Sequence, residues 1–133
     1  AVTRGLARDE HLLCCLHAAL QNRYGQPDNR NLITLPDPQR MAACLASGRK
    51  LFERAAPPHR LAAAYGRGLI GSKPFEHGNL ALALTVIYVI LKVGGFRLIA
   101  QEAECVALMR RVESGEVDED ALAAWIKTHS QTA

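Results

Sequence analysis

The feature that most constrains the fold is an apolar run over residues 80–93, with Asn79 before it and the pair Gly94-Gly95 after it. Asparagine is a favoured N-cap and glycine commonly ends a helix, so the run predicts one helix with defined ends. A membrane-spanning helix needs about 20 apolar residues, and this run is shorter. We therefore expect a buried central helix with Asn79 as its N-cap, and no association with a membrane.

Apolar residues at helical spacing predict five more helices around the central one. Asp37 and Asp118 are the expected N-caps of two of them, and Pro38 favours a first helical turn. These helices are expected over residues 9–24, 38–56, 57–72, 101–114 and 119–130, and short extended segments over residues 32–35 and 95–100. The sequence thus predicts a compact all-α fold in a single domain, residues 1–133, with residues 1–8 as a poorly ordered N-terminus.

Charge and cysteine content exclude several classes of function. The net charge is +3 and the lysines and arginines are scattered, whereas a nucleic-acid interface needs them clustered on one face. The four cysteines form no CxxC pair, so neither a zinc site nor a disulfide framework is expected. Free, buried thiols and the lack of an apolar leader over residues 1–10 favour a cytoplasmic protein.

The start of the central helix is the candidate ligand site. The first N–H groups of a helix and its dipole attract anions, and Gly78 has no side chain to block a phosphate. The simpler alternative is that Gly78 is only a turn residue and Asn79 only a cap. The local pattern leaves both interpretations open.

The segment KPFEHGNLA, residues 73–81, is similar to the motif H-x-F-x-[DE]-[AG]-N-[KG]-R. With segments 16–25, 35–53, 62–79 and 91–98 in matching order, the chain resembles the Fic/Doc (Fido) family, and within it the Doc (death-on-curing) toxins. The resemblance implies a six-helix Fido domain around the central helix. It also implies a family of enzymes that use ATP and Mg²⁺ to transfer AMP, or a phosphate in the Doc branch, to a protein hydroxyl.

The residues that shape the motif loop match the family pattern. Phe75 corresponds to the phenylalanine that anchors the loop in the core, and Gly78 and Asn79 correspond to the residues at the helix start. In the family, the asparagine also contacts the phosphates. Phe75, Glu76, Gly78 and Asn79, together with Lys73 and His77, are therefore the expected remnant of a nucleotide-binding site.

The residues that carry the family's chemistry do not match. Lys73 replaces the catalytic histidine, His77 the acidic magnesium ligand, Leu80 the lysine or glycine, and Ala81 the arginine that clamps phosphate. A lysine is protonated at neutral pH and accepts a proton only when deeply buried. Imidazole is a poor ligand for Mg²⁺, and alanine cannot bind a phosphate. No catalytic residue, metal or cofactor is therefore expected at positions such as Lys73, His77 and Ala81.

The sequence therefore predicts a catalytically degenerate Doc/Fic-like protein that acts by binding a protein. Its expected partner is a small antitoxin-like protein whose helix lies in a groove beside the loop. The alternative is a divergent transferase with ATP and Mg²⁺, in which Lys73, His77 or Glu76 forms a rebuilt site. Further alternatives are a pseudoenzyme that binds phosphate through Lys73, and a helical structural subunit. Residues 31–35 are either a connecting loop or a strand that docks an extended target.

Overall fold

The computed structural model describes residues 10, 12–21 and 36–133 of the chain. The helices are α1 (residues 12–21), α2 (Pro38–Glu53), α3 (Pro58–Ser72), α4 (Asn79–Val93), α5 (Glu102–Glu113) and α6 (Glu119–Thr128), and the strands are β1 (Phe96–Leu98) and β2 (Ser130–Thr132). The predicted all-α fold class is confirmed. The predictions for residues 1–8, for the end of the first helix and for residues 31–35 lie outside the described residues.

The helix boundaries follow from local capping chemistry. The Asp37 carboxylate accepts hydrogen bonds from two backbone N–H groups of the first turn of α2, both at 3.0 Å, and Asp118 caps α6 in the same way at 2.8 Å. Both predicted caps are confirmed. The second helix ends at Glu53 rather than near residue 56, because Ala55 is left-handed with φ 54° and a proline pair follows.

The expectation that α4 is the buried central helix is wrong: α3 lies at the centre of the helix contacts, packed against α2, α4 and α6. Helix α4 buries one face only, and Val93 on its other face is 84% exposed. Three consecutive alanines on α3, residues 62–64, are buried, and these small side chains allow neighbouring helices to approach closely. The core is filled from α4, α5 and α6 by fully buried large side chains: Leu82, Ile87, Leu91, Met109, Leu122 and Ile126. In the described part of the chain, no helix is both long and apolar enough to cross a membrane.

Helices α2 and α3 are in contact at two glycines. A Cβ atom added to Gly48 would lie 2.5 Å from the Tyr65 ring, and one added to Gly68 would lie 2.2 Å from the backbone oxygen of Cys44. A side chain at position 68 would separate the two helices, because the atoms that it meets belong to the backbone of α2. At position 48 the Tyr65 ring would have to move instead. The close approach of α2 and α3 therefore depends on glycine at position 68.

The two strands form a small antiparallel sheet that joins the ends of α4 and α6. Phe96 pairs with Thr132 and Leu98 with Ser130, and the Ile99 N–H donates to the His129 carbonyl at 2.7 Å. The extended segment predicted after the central helix is thus confirmed as β1. Its pairing with β2 holds the carboxyl ends of α4 and α6 side by side.

The four cysteines differ in exposure. Cys44 and Cys105 are buried, Cys14 is half-buried and Cys15 is exposed, and none of the four forms a disulfide. The expectation of buried thiols is therefore wrong for Cys15. Helical geometry explains the difference, because adjacent residues point about 100° apart around the axis and only one of the pair can face the core.

Candidate functional site

The loop between α3 and α4, residues 73–78, contains the candidate site residues. Lys73 ends α3 in a left-handed conformation, φ 47°, and its N–H donates to the Leu69 carbonyl at 3.1 Å. The buried Pro74 accepts a hydrogen bond from the Asp37 N–H at 2.8 Å through its carbonyl oxygen. The loop is thereby attached at its first two residues, to α3 and to the start of α2.

Asn79 holds the loop closed by binding the backbone of Phe75. Its side-chain oxygen accepts from the Phe75 N–H at 3.1 Å, and its amide nitrogen donates to the Phe75 carbonyl at 2.7 Å. The expectation that Asn79 caps α4 is wrong. Gly78 is the N-cap, with φ 82°, and the Asn79 side chain turns back to satisfy both polar groups of a buried residue.

His17 on α1 supports the same loop from the other side. Its ring stacks on Phe75, with centroids 3.8 Å apart and planes 9° from parallel, and only 3% of the residue is exposed. Its Nε2 donates to the His77 carbonyl at 2.7 Å. Sequence reasoning missed this role, although His17 lies four residues after the buried Leu13 and so on the same helix face.

Gln21, one turn after His17, lies against the start of α4. A Cβ atom added to Gly78 would be 2.3 Å from the Gln21 amide nitrogen and 3.4 Å from Nε2 of His17. Glycine is therefore favoured at this position for two reasons: its positive φ, and the Gln21 side chain, which would have to move to admit a Cβ atom. Both reasons concern the fold, and neither depends on a bound phosphate.

The loop residues at the family's chemical positions are exposed. The Lys73 ammonium lies 3.1 Å from the Glu113 carboxylate at the end of α5, and the Lys73 side chain is 51% exposed. The His77 imidazole lies 3.8 Å from the Glu76 carboxylate, with both side chains more than 70% exposed. Ala81 is exposed as well. The deep burial that a neutral lysine base requires is thus absent at Lys73.

These residues do not fit a magnesium nucleotide of the kind that the resemblance implies. The position of the acidic ligand holds an imidazole, the position of the arginine holds a methyl group, and the Lys73 charge is paired with Glu113. Among the described residues, no three His, Cys, Asp or Glu side chains come together in a way that could hold a metal ion. Glu76 is the only carboxylate in residues 73–81.

No family model and no curated protein matches this chain. The Fic/Doc resemblance therefore depends on the motif loop and on the order of the segments around it.

The pKa values of two neighbouring groups, Tyr88 on α4 and Cys105 on α5, are raised. Partial burial, together with a hydrogen bond to Cys105, raises the pKa of Tyr88 to about 12, although 40% of the residue is exposed. The hydroxyl and the Cys105 sulfur are 3.8 Å apart. Burial also raises the pKa of the Cys105 thiol, with the Tyr88 hydrogen bond acting against it. Both groups stay protonated at neutral pH, so neither is an activated nucleophile.

His59, in the first turn of α3, is predicted to make the protein less stable in acid. Burial lowers the pKa of its imidazole, and the charges of Lys127 and Arg60 lower it further. Since the unfolded chain then binds the proton more tightly, the free energy of unfolding should fall as the pH drops below about 6.5. We expect His59→Gln to reduce this fall between about pH 8 and pH 5.5, measured by urea unfolding. A variant whose pH dependence equals that of the original protein would contradict the assignment.

Proposed function

We propose that the chain is a Doc/Fic-like protein that has lost the family's transfer chemistry and acts by binding another protein. The observation that supports the proposal is a contrast between two groups of motif residues: those that shape the loop match the family, and those that would carry out the chemistry do not. Three residues that match the family motif shape the loop: Phe75 and Asn79 through their contacts, and Gly78 through its positive φ. Lys73, His77 and Ala81, which replace the chemical residues, are exposed and unsuited to the reaction. A loop that keeps the family's shape but lacks its catalytic histidine, acidic ligand and arginine fits a binding role.

The exposed part of α4 is the surface that best suits a protein partner. Val93 is 84% exposed, Val89 44% and Tyr88 40%, and Val89 and Val93 lie one turn apart on the same face. Apolar side chains grouped on a helix are typical of surfaces that bind another helix. The partner we propose is a small antitoxin-like protein whose amphipathic helix binds along this face, in a toxin–antitoxin-type or regulatory complex. This face lies toward the carboxyl end of α4, whereas the resemblance placed the groove beside the loop at its amino end.

Co-expression with the product of the adjacent gene, followed by gel filtration, tests the partner. We expect the two proteins to elute together, and Val93→Glu to separate them because it places a charge in an apolar contact. Ala107→Glu, at an exposed position of α5, is the matched control and should leave the complex intact. If the two proteins elute separately, or if both variants behave alike, this partner and this surface are wrong.

Restoring the motif tests the resemblance itself. We expect calorimetric titration with ATP to give no heat up to about 1 mM with the original protein, with or without Mg²⁺. The triple variant Lys73→His, His77→Asp and Ala81→Arg should bind ATP in the presence of Mg²⁺, because it regains the carboxylate and the guanidinium. Histidine can be placed at position 73, because it is among the residues that tolerate a left-handed φ such as the 47° found there. A correctly folded triple variant that still gives no heat would contradict the Fic/Doc assignment.

A divergent transferase is the second candidate function, and one observation favours it. Glu76 and His77 lie side by side and exposed, immediately before the N-terminus of α4. Transfer of label from ATP to a protein, lost in both Glu76→Gln and His77→Ala, would favour this function over the binding role. Magnesium-dependent heat with the original protein would point the same way. Labelling that is unchanged in both variants would exclude a role for these two side chains.

A further inference from the structure

A cavity of about 230 Å³ lies near the C-terminal end of α4, away from the loop of residues 73–78. Its apolar wall is formed by Pro57 and Pro58 at the start of α3, Leu91 of α4 and Phe96 of β1. His59, Lys127 and Ser130 complete the lining, and almost all of the surface that lines the cavity is carbon. Pro57 and Lys127 are exposed, so a solute can reach the cavity from solvent.

The size of the cavity limits what it can hold. A protein cavity of about 150 Å³ with apolar walls binds benzene, whereas sites for drug-sized ligands begin at about 300 Å³. The volume of about 230 Å³ therefore suits a single ring or a short branched chain with one polar group. A nucleotide is too large for it.

The charged side chains beside the cavity indicate which polar group a ligand should carry. Arg60 is paired with Asp120 at 2.9 Å, so most of its charge is balanced. The Lys127 ammonium forms no ion pair or hydrogen bond with any residue that the structure describes. The Ser130 hydroxyl donates its proton to the Ile126 carbonyl at 2.5 Å and has none left for a ligand. The unbalanced group at this cavity is therefore the Lys127 ammonium.

We propose that this cavity binds a small carboxylic acid with an apolar body. The body lies against Pro58, Leu91 and Phe96, and the carboxylate pairs with the ammonium of Lys127. Partial desolvation beside apolar walls strengthens such a pair relative to one in open solvent. The stem of Lys127 lines the wall while its charged end reaches the carboxylate. This site is separate from the loop and does not depend on the Doc-like function.

Titration with benzoate, followed by amide NMR, tests the site. We expect saturable shifts confined to residues around the cavity, with a dissociation constant of about 1 mM or lower. Benzamide has the same body without the charge, and acetate has the charge without the body, so both should bind about tenfold more weakly or not at all. Lys127→Gln should weaken benzoate about tenfold and leave benzamide unchanged. Lys92→Gln, at an exposed lysine outside the cavity, is the matched control.

A charge reversal gives a second, independent test. Lys127→Glu should abolish benzoate binding and allow benzylamine to bind at the same residues, because the preferred sign of the ligand charge is inverted. The proposal is overturned if benzoate produces no localised shifts in the original protein. It is equally overturned if benzoate binds Lys127→Gln as tightly as the original, or if benzamide binds as well as benzoate.

Discussion

Replacing Gly68 with alanine is expected to lower the free energy of unfolding by about 3 kcal/mol. The added Cβ would lie 2.2 Å from the Cys44 carbonyl oxygen, 3.0 Å from its carbonyl carbon and 3.1 Å from its Cα. All three atoms are backbone within α2, so no side-chain rotation relieves the clash. The two helices must separate, which opens the contact between α2 and the centre of the bundle.

The matched control is Gly71→Ala on the same helix. A Cβ at position 71 meets no atom within 4 Å, and Gly71 is exposed. Alanine has the higher helix propensity, so this variant should be more stable than the original by up to about 1 kcal/mol. Urea unfolding of Gly68→Ala and Gly71→Ala measures both changes in the free energy of unfolding. Equal effects would mean that helix propensity, rather than the contact with Cys44, governs these positions.

The second large effect is expected for Phe75→Ala, which should cost about 3–5 kcal/mol. Phe75 is 2% exposed and belongs to the hydrophobic core. Its removal leaves a cavity beside the His17 ring, which loses its stacking partner. The loop of residues 73–78 then loses its anchor in the core while the Asn79 hydrogen bonds to the Phe75 backbone remain available.

Phe52→Ala is the matched control, because Phe52 is 71% exposed near the end of α2. The same truncation at this surface should change the free energy of unfolding by no more than about 0.5 kcal/mol. Urea unfolding measures both variants. A loss at Phe75 that is no larger than the loss at Phe52 would show that the loop is not anchored through this ring, and would weaken the argument that the motif survives for its shape.

The helices could be predicted from the sequence because their signals are local. Asp37 and Asp118 cap the helices that follow them, and α5 and α6 lie within a few residues of their predicted bounds. The short strand β1 could also be predicted, as an extended segment after α4. Its pairing with β2 was not, since a strand of three residues carries too little alternation to show its partner.

The sequence identified the loop of residues 73–78 as a segment of interest but did not show the contacts that shape it. Phe75 is a buried anchor, as the motif implies. The motif does not show that Asn79 binds the Phe75 backbone rather than capping α4. A cap and a loop clamp both require a short side chain with an amide or carboxylate oxygen, so the residue type alone does not distinguish them.

The sequence by itself determined where the chain is helical, that Asp37 and Asp118 cap α2 and α6, and which side chains stand at residues 73–81. These properties depend on capping, periodicity and the chemistry of single side chains. Only the tertiary structure decided that Lys73 pairs with Glu113 and that His17 lies under the loop. His17 and His77, for example, are 60 positions apart. Such contacts depend on how the helices pack against each other. Local patterns such as caps and apolar periodicity do not show which distant residues will meet.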